Sequence, residues 1–128
     1  MKFFLPMILP TCTSQQKGIN WAAKRVYTKP ELANAYNKFA AHLAQHRPQT
    51  PMSGAVRLTT KWLFPIKKGH SDGEYKTTKP DTENSLKLLK DVMTDLGFWR
   101  NDAQVASEVT EKFWSVIPGI FVEVEEIK

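Results

Sequence analysis

Cysteine is nearly absent from this sequence: Cys12 stands alone among 128 residues. One thiol excludes a disulfide framework and a cysteine-based zinc site within a chain, and it suits a reduced, cytoplasmic protein. Long apolar runs are missing too. No stretch approaches the ~20 residues of a membrane helix, so no membrane partner is expected. The opening "MKFFLPMILP" is apolar but short, carries Pro6 and Pro10, and leads to no small-residue cleavage pattern. It reads as a β-strand entering the fold. A phosphate-cradling P-loop, a GxSxG elbow and EF-hand spacing are all absent. Nucleotide hydrolysis and serine-esterase chemistry therefore drop out, and no nucleotide cofactor is expected. His42 and His46 lie one helical turn apart, but the HExxH glutamate is missing and no third ligand is evident. They read as surface histidines. With no internal repeats and no convincing second domain, residues 1–128 read as one domain with one core.

What is present is ordinary in bulk and uneven in charge. The hydrophobic fraction of 41% and charged fraction of 24% are those of a globular protein. The net charge of +5 is split: residues 1–80 hold 13 Lys/Arg against 3 Asp/Glu, and residues 81–128 hold 5 against 10. A basic surface attracts a polyanion and clustered acids repel one. Acids become useful beside a polyanion when a divalent cation lies between them. The combination points towards phosphodiester chemistry.

Along the chain, residues 11–27 read as a polar loop containing Gly18, Trp21, Lys24 and Arg25. Thr28 and Glu31 fit a capping box, with Pro30 in the first turn. Leu32, Ala35, Tyr36, Phe39, Ala40 and Leu43 recur at helical spacing, and this helix should stop before Pro48. "GAVRLTTKWLFP" (54–65) alternates like a strand. "IKKGHSDGEYKTTKP" (66–80) has no periodicity and reads as a mobile basic loop, either a solvated connection or an arm that tracks phosphates. A second helix follows, with Leu86, Leu88, Leu89, Val92, Met93 and Leu96 on the buried arc and Glu83, Asn84, Lys87, Lys90, Asp91 and Thr94 opposite. Asp81 suits its N-cap and Gly97 its left-handed C-terminal position. "AQVASEVTEKFW" and "GIFVEVEEI" read as closing strands. The order β-α-β-α-β-β predicts an α+β fold, a small mixed β-sheet with two main helices packed on it.

The chemistry concentrates at 79–105. Glu83 and Lys87 are one turn apart and share a side of the helix. Asp81 lies at the helix start, and Asp102 arrives on the segment leading to the next strand. Three gathered carboxylates repel unless a cation joins them or some are protonated, and such oxygen ligands suit Mg²⁺ or Mn²⁺. The same residues also fit a plain structural account: a cap, a favourable charge at the positive helix end, and a turn residue.

Lys79, Pro80, Asp81, Glu83, Asn84, Lys87 and Asp91, then "GFW" at 97–99 and "DAQV" at 102–105, resemble the signature of RusA-type Holliday-junction resolvases. The order of elements fits a RusA-like fold as well. This resemblance implies a small, homodimeric, Mg²⁺-dependent endonuclease of DNA recombination and repair that cuts four-way DNA symmetrically, often encoded by prophages. It implies Asp81, Glu83 and Asp102 as metal ligands and Lys87 as the contact to the scissile phosphate. Asp91 would orient Lys87 or remain a solvated acid. Glu83 stands where the family usually has Asp. Asn101 replaces the first acid of the closing pair and leaves the ligand role to Asp102. Asn84, Asp91 and Asn101 are thus expected around the ligand set. Lys67, Lys68, Lys76, Lys79 and Lys87 are the expected DNA contacts, with Lys24 and Arg25 weaker. The rival expectations are a branched-DNA-binding module that kept the fold and lost the chemistry, and a phage assembly protein whose acids only cap a helix.

Overall fold

The computed structural model describes residues 1–9 and 29–127. The loop expected at 11–27, Thr28, Lys24 and Arg25 lie outside the described residues. Strand β1 is Lys2–Pro6, helix α1 Lys29–Leu43, β2 Ala55–Pro65, helix α2 Glu83–Asp95, β3 Val105–Ser115 and β4 Gly119–Ile127. Short 3₁₀ turns occupy Ala44–His46 and Asp102–Gln104. Among the described residues, four strands form one sheet in the order β1-β4-β2-β3. β4 runs antiparallel to both β1 and β2, while β3 runs parallel to β2. The expected mixed sheet with two helices is the one observed.

Period-2 patterning sets the face of the sheet that the helices cover. On β2, Val56, Leu58, Thr60, Trp62 and Phe64 are buried. Their β4 counterparts Ile120, Val122 and Val124 are buried as well, with Trp62 opposite Ile120 and Leu58 opposite Val124. Phe3 and Leu5 of β1 add to that face, although β1 itself is an edge strand. Thr60 is tolerated there because its Oγ1 accepts the Trp62 indole N–H at 2.9 Å.

Both helices supply apolar stripes at helical spacing. Ala35, Phe39 and Leu43 of α1 are buried, and the Phe39 ring meets Trp62 edge-on at 6.4 Å. Leu88, Leu89, Val92 and Met93 of α2 are buried, with Leu86 and Leu96 partly so. Between α1 and Pro48 the chain tightens into the 3₁₀ turn, where His46 stacks on Phe3 at 4.4 Å. His46 is therefore half-buried against an aromatic ring.

Three boundaries carry local detail. The N-cap of α2 is Thr82, not the expected Asp81, and it makes no side-chain cap bond. At the other end Gly97 adopts φ 84°, and the Phe98 N–H reaches back to the Met93 carbonyl at 3.0 Å. This is the Schellman closure expected of that glycine. Gly119 opens β4 at φ 155°, where a Cβ would lie 2.4 Å from the Leu5 carbonyl oxygen. The second half of the 66–80 loop bonds to the end of β3. The Trp114 N–H donates to the Glu74 carbonyl at 2.8 Å, and the Lys76 N–H to the Lys112 carbonyl at 3.0 Å.

Candidate active site

Helix α2 presents two polar faces, and each lines a cavity. Glu83, Asn84, Leu86, Lys87 and Lys90 meet Asp102 and Glu108 around a cavity of about 420 Å³. Leu88, Asp91, Thr94 and Asp95 meet Leu32 and Tyr36 of α1, and Arg100, Asn101 and Asp102, around a second of about 560 Å³. Asp102 belongs to both.

The "GFW" and "NDAQ" segments explain how Asp102 reaches α2 from outside the helix. Gly97 turns the chain back, and Phe98 and Trp99 are fully buried. Within α2, the Thr94 hydroxyl accepts the Trp99 indole N–H at 2.7 Å and donates to the Lys90 carbonyl at 2.8 Å. Asn101 Oδ1 then caps the 3₁₀ turn by accepting the Ala103 N–H at 2.8 Å. Gln104 Oε1 accepts the N–H groups of Arg100 and Asn101 at 2.9 and 3.0 Å. Its amide nitrogen donates to the carbonyls of Met52 and Gly54 at 2.9 and 3.0 Å. Asp102 is thus held between a capping side chain and a glutamine that bridges two segments. The replacement of an acid by Asn101 suits this capping task.

Of the sequence-predicted site residues, Glu83, Lys87 and Asp102 converge on one cavity, with Asn84 beside them. Asp81 is exposed, immediately before the α2 cap, and does not line that cavity. Asp91 faces the other cavity, with Asp95, whose carboxylate accepts the Tyr36 hydroxyl at 2.5 Å. That bond, then partial burial and the nearby charges of Asp95 and Asp91, hold the Tyr36 phenol above its ordinary pKa. Lys87 forms no ion pair with any described residue, so Asp91 does not orient it by a salt bridge. Lys67, Lys68 and Lys79 are exposed. Lys76 corrects its expected role as a DNA contact: it is buried, and its ammonium turns inward onto backbone carbonyls.

Two further residues complete the cavity: Lys90, from the polar arc of the helix, and Glu108, which had no local signal in the sequence. Lys90 Nζ lies 2.6 Å from Glu108 Oε2, joining α2 to β3 across the cavity. Glu108 reads from the sequence as one more exposed strand residue, since only the parallel β2–β3 pairing brings it opposite α2. Glu83, Asp102 and Glu108 together offer hard oxygen donors of the kind that Mg²⁺ and Mn²⁺ take. Lys87 and Lys90 balance two of those charges. Among the described residues, no three His, Cys, Asp or Glu side chains are gathered closely enough to hold an ion as a set. The residues fit a divalent cation in donor chemistry, with Glu83 and Asp102 on one cavity and Asp81 exposed outside its lining.

A family model described as endodeoxyribonuclease RusA matches residues 8–125. The chain is 31% identical over 130 residues to the uncharacterized protein YqaN of Bacillus subtilis (strain 168), covering 92% of this chain and 91% of that one. It is 26% identical over 121 residues to the crossover junction endodeoxyribonuclease rusA of Lactococcus phage r1t, covering 93% and 92%. With a nuclease family matched over nearly its whole length and the motif residues Glu83, Lys87 and Asp102 on one cavity, the chain belongs to the RusA endodeoxyribonuclease family.

Proposed function

We propose that this protein is a Mg²⁺-dependent endonuclease that resolves four-way DNA junctions by paired cuts, acting as a homodimer in recombination and repair. The observation that carries this reading is the shared cavity of Glu83, Lys87 and Asp102, in a chain of a DNA endonuclease family. Asp81, Glu83 and Asp102 would hold the cation, which when bound supplies phosphate polarisation and a water of lowered pKa. Mn²⁺ would serve the same donors.

The chain's own contributions follow from its charges. Lys87, unpaired within the described residues, brings an ammonium to the cavity where charge builds up on the phosphate. Asn84 adds an amide beside it. Gln104 and Asn101 hold Asp102 still, and a fixed geometry lowers the cost of reaching the reacting arrangement. The exposed ammoniums of Lys67, Lys68 and Lys79 supply sequence-independent attraction to the DNA backbone. A closed two-fold dimer gives two identical sites and hence two symmetric cuts.

The test is incubation of the purified chain with a synthetic four-way junction and a matched linear duplex, in Mg²⁺ and in chelator. Symmetric nicks in the junction alone, in Mg²⁺ alone, are expected, with light scattering at micromolar concentration giving twice the chain mass. A junction bound but left intact in Mg²⁺ and in Mn²⁺ would favour the binding module that lost its chemistry.

A further inference from the structure

Lys76 is 7% exposed, which is rare for an ammonium that faces no anion. Its Nζ lies 4.4 Å from the centre of the Trp114 ring and 5.3 Å from that of Phe64. It donates to the Thr78 carbonyl at 3.2 Å, the Thr78 hydroxyl at 2.5 Å and the Lys79 carbonyl at 2.6 Å. From β3, Lys112 Nζ donates to the same Thr78 carbonyl at 2.8 Å and to the Pro80 carbonyl at 3.0 Å. Three consecutive carbonyls, 78 to 80, therefore accept from two ammonium groups, and the next residue is Asp81. Neither lysine forms an ion pair with a described carboxylate.

This arrangement is costly for the fold. Burial, then the charges of Lys112 and Lys67, push the Lys76 ammonium below its usual pKa. An apolar side chain would fill the space between Trp114 and Phe64 without desolvating a charge. An ammonium meant for phosphate would point outward. The rings use the charge as well, but only the carbonyl ladder uses the three N–H donors that a lysine has and a methionine lacks.

We propose that Lys76 and Lys112 are positioning residues of the cleavage site: a two-lysine clamp on the 78–80 carbonyls that sets where Asp81 stands relative to Glu83 and the cavity. The proposal rests on the nuclease reading above. Lys76 acts through the backbone, on the segment that delivers a motif carboxylate, and touches no DNA.

The test compares the full chain with Lys76→Met and Lys112→Met. Met keeps the length and the aromatic packing and removes the donors. In Lys76→Met, junction affinity should stay within about twofold of wild type at fixed salt, since no exposed charge is lost. The single-turnover cleavage rate should fall by about tenfold or more, the scale of a slight displacement at a positioned reacting group. The Mg²⁺ concentration giving half the maximal rate should rise. Backbone amide hydrogen exchange at Lys79, Asp81 and Thr82 should speed up, and Lys112→Met should shift every readout the same way by less. Faster exchange with an unchanged rate and Mg²⁺ midpoint would make the clamp a stability device and overturn the proposal. Lost affinity with a flattened salt slope and an unchanged saturated rate would make Lys76 a phosphate contact, which also overturns it. Should Lys76→Met fail to fold, the half-exposed Lys112→Met decides by the same readouts. If the wild-type chain cuts no junction, the nuclease reading has failed. The cleavage-site role then falls with it, and unchanged exchange at 79–82 in Lys76→Met would separately overturn the clamp itself.

Discussion

Gln104 is the residue whose loss should show how far the backbone support of Asp102 carries both stability and cleavage. Its side chain makes four hydrogen bonds to backbone: it accepts from Arg100 and Asn101 and donates to the carbonyls of Met52 and Gly54. In Gln104→Ala the two exposed N–H groups turn to water at little cost, whereas the two carbonyls sit in partly buried surroundings. At roughly 1 kcal/mol for each such carbonyl, the loss is about 2 kcal/mol. For a chain of this size that corresponds to a fall in Tm of about 8 °C. Gln104→Glu is the sharper variant, because it keeps the acceptor for Arg100 and Asn101 but points a carboxylate oxygen at two carbonyls. It should cost at least as much as Ala. Urea unfolding followed by tryptophan fluorescence measures both, and single-turnover cleavage of a bound junction should fall with them as Asp102 loosens. A loss below about 0.5 kcal/mol in both variants would show that these bonds are exchanged for water without net cost, refuting the reasoning.

Other outcomes follow from single features. Lys87→Ala should lower the single-turnover rate by about two orders of magnitude, the scale of one lost transition-state contact, with affinity nearly kept; lost affinity at a constant rate would reduce Lys87 to a phosphate anchor. Replacing Lys67, Lys68 and Lys79 by Ala should weaken junction binding and flatten its salt dependence by up to about three charges' worth of counterion release. An unchanged slope would place the DNA on another surface. Gly119→Ala must move the backbone, since its Cβ would meet the Leu5 carbonyl oxygen at 2.4 Å, and a loss of about 2 kcal/mol or more is expected in urea titration from strain and overpacking together.

The parts of the fold legible in the sequence are those written in local pattern. Burial alternates along the whole of β2 and from Ile120 to Val124 of β4. Helix α2 shows its apolar arc and its C-terminal glycine openly. β3 begins two residues later than alternation suggests, because Asn101 and Gln104 close a capped 3₁₀ turn whose bonds reach Met52 and Gly54, about fifty residues away. Lys76 reads as one more loop lysine, since the rings that cover it, Phe64 and Trp114, come from two other strands. Lys90 and Glu108 have the same difficulty: their pairing exists only once β3 lies beside β2. For the site, the motif gave Glu83, Lys87 and Asp102 together; the place of Asp81 depends on a loop path that spacing does not encode.

Glu83 and Asp102 are proposed to act on DNA from one cavity, through a divalent cation. Single-turnover cleavage of a pre-bound four-way junction by Asp102→Asn and Glu83→Gln, titrated with Mg²⁺, tests it most directly. Both variants should bind the junction as tightly as wild type or more tightly, because a negative charge near phosphate is gone. Cleavage should be abolished in Asp102→Asn and severely reduced in Glu83→Gln at every Mg²⁺ concentration. Full activity of Asp102→Asn at saturating Mg²⁺ would contradict the account.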